Sequence, residues 1–344
     1  MVDFDSLPDF DSLPPVEGMP QGCAWGLFDR DGQKDYLGCL NLLTLRVKKE
    51  ALTEAREGVS ISLNWPLNAI KTPGFGRRAT EHTVIDALEG PFKTHGFDDE
   101  VAFNTQGSSQ WDSLAHWGHQ STGLYYNGSK PTKANLVQDT TDEADKSLPT
   151  LNHWHEHGCM VGRGVLLDYK AYAHARGIVY DCFDSHAITV ADLEAVAAYQ
   201  QTTFKYGDIL IVRTGFTDEL GAATAEEQVK MLGTHKTVGV AGNIDTARWL
   251  WNHHFSAVAG DTIAFEVFPA MVEEAGGIRQ GSMSEMVLHK YLLTFFGMYI
   301  GELWDLKALG EYCAKTKRYE FLLSSVPLNM PGLVGSPPNA VAIF

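Results

Sequence analysis

Cysteine is sparse in this chain. It has five, an odd number (Cys23, Cys39, Cys159, Cys182, Cys313), with no CxxC spacing. That argues against a disulfide-stapled scaffold and fits a reduced, cytoplasmic protein. Positive charge is short as well, with 27 Lys and Arg against 43 Asp and Glu and a formal net charge of −16. A surface of that sign excludes nucleic acid and anionic membrane as natural partners and leaves a small-molecule substrate as the expected one. No apolar run approaches the roughly 18 residues a membrane span needs. Met1 opens onto VDFDSLPDF, with no basic n-region and no apolar h-region, so no signal peptide is expected. Two high-specificity catalytic spacings, HExxH and GxSxG, are also missing, which removes the simplest metalloprotease and serine-hydrolase readings.

What remains is ordinary globular material: 344 residues, 44% hydrophobic and 20% charged, enough for a sizeable core. Residues 1–20 carry FDSLP twice, at Phe4–Pro8 and Phe10–Pro14. Two copies are too few for a solenoid, and their Pro and Asp content predicts an extended arm. From residue 21 to 344 strands and helices alternate with no linker-like break. Helical periodicity covers Thr44–Glu57, Ala223–Leu232, Ile244–His253 and Ser284–Phe296, and Thr189 with Asp192 makes a capping pattern before ADLEAVAAYQQTTF. The runs VGRGVLLDY, DILIVRTGF and SAVAGDTIAF predict buried strands. Residues 71–100 predict loop with one short strand near His82–Ile85. The expected fold is a single α/β domain with a mixed sheet.

The chemistry concentrates in NTQGSSQWDSLAH, residues 104–116. Gln106, Gln110, Asp112 and His116 fall at even spacings, so in an extended segment all four could share one face. Two carboxamides, a carboxylate and an imidazole together suit a divalent cation. Two later residues resist explanation as packing: His289 in the apolar helix EMVLHKYLLTFF, and Glu302 in the strand MYIGELWDL that follows. An unpaired buried carboxylate costs several kcal/mol or gives up its charge. Consecutive elements can bring these two side chains to one point, where an ion would satisfy both.

These blocks, in order, resemble the cyclase-family metal-dependent hydrolases, a group that includes bacterial kynurenine formamidase and isatin hydrolase. QGSSQWDSLAH stands where that family has HxGTHxDxPxH. VGRGVLLDY, GDILIVRTGF, AGDT, LHKYLLTFFGMYIGEL and PLNMPGLVGSPPNAVAI follow in sequence. The resemblance covers roughly 280 residues and implies a swivelling β/β/α fold assembled as dimers or tetramers. Carried over by position, it implies Asp112, His116, His289 and Glu302 as metal ligands, with Gln110 as a fifth. Gln106 and Gln110 occupy the places of two ligand histidines. An amide oxygen is the weaker zinc ligand, so one divalent ion, Mn²⁺ or Zn²⁺, is expected rather than two.

The expected reaction is metal-assisted hydrolysis of a C–N bond in a small aromatic or cyclic amide, as in arylformamidases and isatin hydrolase. His116 or Glu302 would carry the proton. Gln106, Trp65, Trp111 and Trp117 are the candidate substrate contacts, and Ser109 and Thr262 the candidate supports of the ligands. Alternatives are a lactone hydrolase or dehydratase using the same ion, and a binding protein that kept the fold without catalysis. The cluster His153, His155 and His157 reads as a solvated surface element. Asp168, Asp208 and Arg213, at strand ends, read as structural partners.

Overall fold

Three continuous apolar segments set the frame. VGRGVLLD, ILIVR and AVAG are buried but for Val161 and lie side by side as parallel strands. A strand covered on both faces has no polar side to show, hence the unbroken runs. The computed structural model describes residues 7–137, 148–274 and 277–344. In chain order its strands are β1 (Ser60–Ser62), β2 (Glu81–Asp86), β3 (Phe97–Ala102), β4 (Gln110–Asp112), β5 (Met160–Asp168), β6 (Ala187–Ile188), β7 (Ile209–Arg213) and β8 (Gly239–Val240). They continue with β9 (Ala257–Gly260), β10 (Met271–Glu274), β11 (Gly277–Gln280), β12 (Tyr299–Glu302), β13 (Glu320–Ser325), β14 (Gly335–Ser336) and β15 (Ala340–Ile343).

Nine of these form one mixed sheet in the order β1-β15-β13-β5-β7-β9-β12-β4-β14. The central β5, β7, β9 and β12 run parallel, and antiparallel strands extend the sheet on both sides. This is the expected α/β domain with a mixed sheet. Helices Tyr169–Arg176, Val190–Gln200 and Ile244–Asn252 lie among the crossovers, and the Thr189–Asp192 capping box forms as predicted. No helix among the described residues is long and apolar enough to cross a membrane.

The helix carrying His289 begins as Val287–His289 and continues as a π-helix over Lys290–Phe296, ending at Gly297 with φ 70°. Gly297 and Gly38 touch backbone to backbone: a Cβ on Gly38 would sit 2.0 Å from the Gly297 oxygen. Only glycine permits that approach, which seats the helix against the Gly38–Leu42 turn.

The N-terminal arm lies on the body. Phe10 and Leu13 are buried, the Phe10 N–H donates to Asn252 Oδ1 at 2.8 Å, and Trp251 Nε1 donates to the Pro8 oxygen at 2.9 Å. The first FDSLP copy begins outside the described residues.

The segment 71–100 differs from expectation. In place of one short strand, β2 pairs with β3 over six residues as an antiparallel hairpin. Both strands are exposed almost throughout, so neither needs the apolar alternation that reveals a strand in sequence. The strand-end charges behave as structural partners. Arg163 pairs with Asp208 at 2.7 Å, and Arg213 bridges Asp168 at 2.9 Å and Asp218 at 2.6 Å.

Candidate metal centre

The register of β4 against β12 builds the site. Gln110 stands opposite Glu302 and Asp112 opposite Ile300, so Gln110, Glu302 and Asp112 project from one face of the sheet. Gln110 Nε2 donates to Glu302 Oε2 at 2.8 Å and to Gln106 Oε1 at 2.8 Å. Gln106 Nε2 closes the chain by donating to Asp112 Oδ1. The helix after β11 then brings in His289, whose Nε2 is 3.3 Å from Glu302 Oε1. One ligand atom from each of Asp112, His289 and Glu302 lies within 4.8 Å of the others, and all three residues are buried.

Two acceptors in this cluster are left over. Asp112 Oδ2 and Gln110 Oε1 are buried without a hydrogen-bond partner. Orphaned buried oxygens are costly unless something positive meets them. Both are oxygen ligands, and with the His289 imidazole and the Glu302 carboxylate they fit a divalent ion. Burial pushes the Asp112 carboxyl up, His116 and His289 oppose that shift and Glu302 reinforces it. Burial works against charge on His289, yet hydrogen bonds to Glu266 and Glu302 raise it to about 10. Without an ion the site therefore keeps a proton on His289 in place of a cation.

Sequence reasoning missed Glu266. This fully buried carboxylate accepts the His289 Nδ1 proton at 3.0 Å. It also takes the backbone N–H groups of Val287, Leu288 and His289 at 2.9, 3.0 and 2.7 Å. It fixes the ring so that Nε2 faces the cluster, the usual support for a ligand imidazole. Gly242 makes room for it, since a Cβ there would lie 2.5 Å from Glu266 Oε2. The signal was available: a glutamate inside the apolar stretch AFEVFP, the same anomaly that marked Glu302.

The other expected residues divide. His116 stands at the rim, its side chain 21% exposed and its Nδ1 4.0 Å from Asp112 Oδ1, outside the three-residue ligand cluster. Trp117 walls the cleft, with its ring 5.3 Å from that of His289. Trp111 does not reach it. Strand alternation turns its side chain to the other face of β4, where it packs on Trp154 and Trp304 and donates to Ser325 Oγ at 2.8 Å. Trp65 is likewise buried, beside Gly221, and its backbone N–H donates to Ser109 Oγ at 3.0 Å. The supporting roles expected of Ser109 and Thr262 fall to Glu266, because Thr262 Oγ1 is committed to the Ala264 oxygen at 2.6 Å. His153 and His155 each meet a backbone carbonyl, at 2.9 Å in both cases.

Above the cluster opens a cleft walled by Phe75, Arg77, Trp117, Phe268 and Met286. Apolar walls with a few convergent polar groups suit a small molecule. The family described as “Putative cyclase” matches residues 53–267. The chain belongs to the cyclase family. A search of curated proteins gives no significant match. Among solved structures, one described as a novel cyclase is 28% identical, covers 94% of this chain and 99% of its own, and superposes with a TM-score of 0.77. An isatin hydrolase bound to the product analogue thioisatinate shares the fold at 13% identity, with 86% and 95% coverage and a TM-score of 0.55. Isatin hydrolase A from Ralstonia solanacearum does so at 15% identity, 87% and 97% coverage and a TM-score of 0.54.

Proposed function

We propose that this protein is a metal-dependent hydrolase that cleaves the C–N bond of a small aromatic amide or cyclic amide, working in the cytoplasm as a homo-oligomer. The observation that carries the reading is the convergence of Asp112, His289 and Glu302 beside the unpartnered oxygens Asp112 Oδ2 and Gln110 Oε1. The fold shared with isatin hydrolases supports it. One divalent ion, Mn²⁺ or Zn²⁺, would be held by Asp112, His289 and Glu302 with Gln110 Oε1, and His116 within reach at the rim. Such an ion lowers the pKa of water and polarises a carbonyl.

The chain supplies the rest. Both Glu302 oxygens are engaged, Oε1 by the Phe265 N–H at 3.1 Å and Oε2 by Gln110 Nε2 at 2.8 Å, so Glu302 serves as a holder. His116 is the better proton carrier. It lines the cleft, and its ion-pair contact among the described residues is with Asp112 at 4.0 Å, so a ring nitrogen could take a proton from water and return it to the leaving nitrogen. Trp117 and Phe268 offer flat walls to an aromatic ring.

Metal analysis of the purified protein, with chelator-sensitive hydrolysis of isatin or N-formylkynurenine, tests this reading. Asp112→Ala should abolish both metal content and turnover while leaving the fold largely intact. Normal turnover by that variant refutes the site. Hydrolysis of a lactone alone would move the assignment to a lactonase using the same ion. The internal hydrogen bonding of Gln106 and Gln110 favours one other reading, a non-catalytic binding protein. An ion-free, inert preparation would support it.

A further inference from the structure

The cleft contains an arginine that the proposed hydrolysis does not use. Between β1 and β2 the chain turns at Gly74-Phe75-Gly76-Arg77, closed by the Arg77 N–H donating to the Gly74 oxygen at 3.1 Å. Phe75 and Gly76 both adopt left-handed backbone angles, φ 58° and 68°. Glycine does so freely, whereas for an aromatic residue the conformation is strained. Strain of this kind persists where a turn must aim particular side chains. Here it sets Phe75 and Arg77 together in the cleft wall with His116, His289 and Glu302.

Arg77 is held from behind and left open in front. Its Nη1 donates to the Gln106 backbone oxygen at 3.1 Å, and its guanidinium carbon lies 5.1 Å from the centre of the Phe75 ring. Among the described residues Nε and Nη2 have no partner, and no carboxylate forms an ion pair with the group. The structural arginines behave otherwise: Arg163 closes on Asp208, and Arg213 on Asp168 and Asp218. Partial burial lowers the Arg77 pKa, and the field of Glu302 and Asp112 raises it in partial compensation. Among the described residues it is the one arginine or lysine in the wall of this cleft, in a chain of net charge −16.

We propose that Arg77 is the anion-binding residue of this cleft and that the substrate is an aromatic carboxylate, its ring against Phe75 and Trp117 and its carboxylate on the Nε–Nη2 edge of Arg77. That edge is a planar fork matched to two carboxylate oxygens, a geometry lysine cannot offer. The inference rests on the hydrolase reading for the reaction and on Arg77 alone for the substrate class.

Two measurements on the metal-loaded protein separate the claims. Calorimetry compares benzoate with benzamide on wild type, Arg77→Gln and Arg77→Lys at matched metal content. Kinetics compares N-formylanthranilate with formanilide, which differ by one carboxylate. Arg77→Gln should weaken benzoate at least tenfold and raise KM for N-formylanthranilate to a similar extent, with little change in kcat. The losses on the neutral benzamide and formanilide should be several-fold smaller than on their anionic counterparts, and Arg77→Lys should fall between. If Arg77→Gln fails to fold, the Arg77→Lys loss on the anionic ligands alone still decides the question. Equal benzoate affinity in wild type and both variants means that the carboxylate meets only the ion, and the proposal falls while hydrolysis stands. Arg77-dependent benzoate binding without hydrolysis of N-formylanthranilate, formanilide, isatin or N-formylkynurenine upholds the anion site and removes the hydrolase reading.

Discussion

Glu266 grips His289 twice, through the ring Nδ1 at 3.0 Å and the backbone N–H at 2.7 Å. One carboxylate therefore sets both where the helix starts and which ring nitrogen faces Asp112 and Glu302. Replacing it with glutamine keeps the shape and removes the charge. Glu266→Gln should lower divalent-ion affinity by about 10–100-fold, the usual effect of losing the outer partner of a ligand imidazole. Isothermal titration with Mn²⁺ and Zn²⁺ measures this. Unchanged affinity for both ions would mean that His289 is not a ligand.

Gln106 and Gln110 are tied into the cluster by hydrogen bonds to Asp112 and Glu302, and of their two amide oxygens Gln106 Oε1 accepts from Gln110 while Gln110 Oε1 is left to meet an ion. Imidazole is the stronger zinc ligand. The double change Gln106→His, Gln110→His should therefore raise zinc affinity or admit a second ion per chain. Elemental analysis after dialysis against zinc reads the stoichiometry. A double variant with wild-type zinc uptake would show that these positions do not face the ion.

Much of this was legible in sequence, for identifiable reasons. The three apolar strands announced themselves because burial on both faces leaves a continuous hydrophobic run. His289 and Glu302 stood out because polar groups in apolar elements demand a partner. The β2–β3 hairpin stayed hidden because exposed strands carry no such pattern. Trp111 misled because one residue of strand alternation separates the site face from the core, and the strand at 110–112 is too short to show its phase. Gln106 and His116 flank that strand in turns, so their nearness to Asp112 comes from the path of the loop and not from an even spacing. Arg77 gave no sign at all, since its meaning lies in the carboxylate it fails to meet.

The pH dependence follows from His289. Its folded-state pKa is raised to about 10 from the ordinary 6.5. In the ion-free protein the stabilisation from its charged ring is present in full below 6.5 and is lost as pH rises through about 10. A divalent ion needs the neutral ring at Nε2, so binding below pH 10 must release that proton. Ion affinity should climb about tenfold per pH unit across the neutral to mildly alkaline range. Titrations in buffers of different ionisation enthalpy count the proton directly. Affinity that is flat with pH would show that the ring enters the complex already neutral.

The two tryptophans on either side of the Asp112–His116 stretch should fail in opposite ways. Trp111 has no exposed surface and sits 4.9 Å from Trp304 and 5.5 Å from Trp154, ring centre to ring centre. Trp111→Ala should cost about 3–5 kcal/mol, the range for emptying a large aromatic site in a packed core. Trp117 is only partly buried and faces the cleft, against His289. Trp117→Ala should cost about 1 kcal/mol, near the centre of the range for single substitutions, while weakening the binding of aromatic ligands. Urea denaturation and ligand titration on the two variants separate stability from recognition. A Trp111→Ala protein as stable as wild type but defective only in ligand binding would reverse the assignment, putting the cleft on the other face of β4.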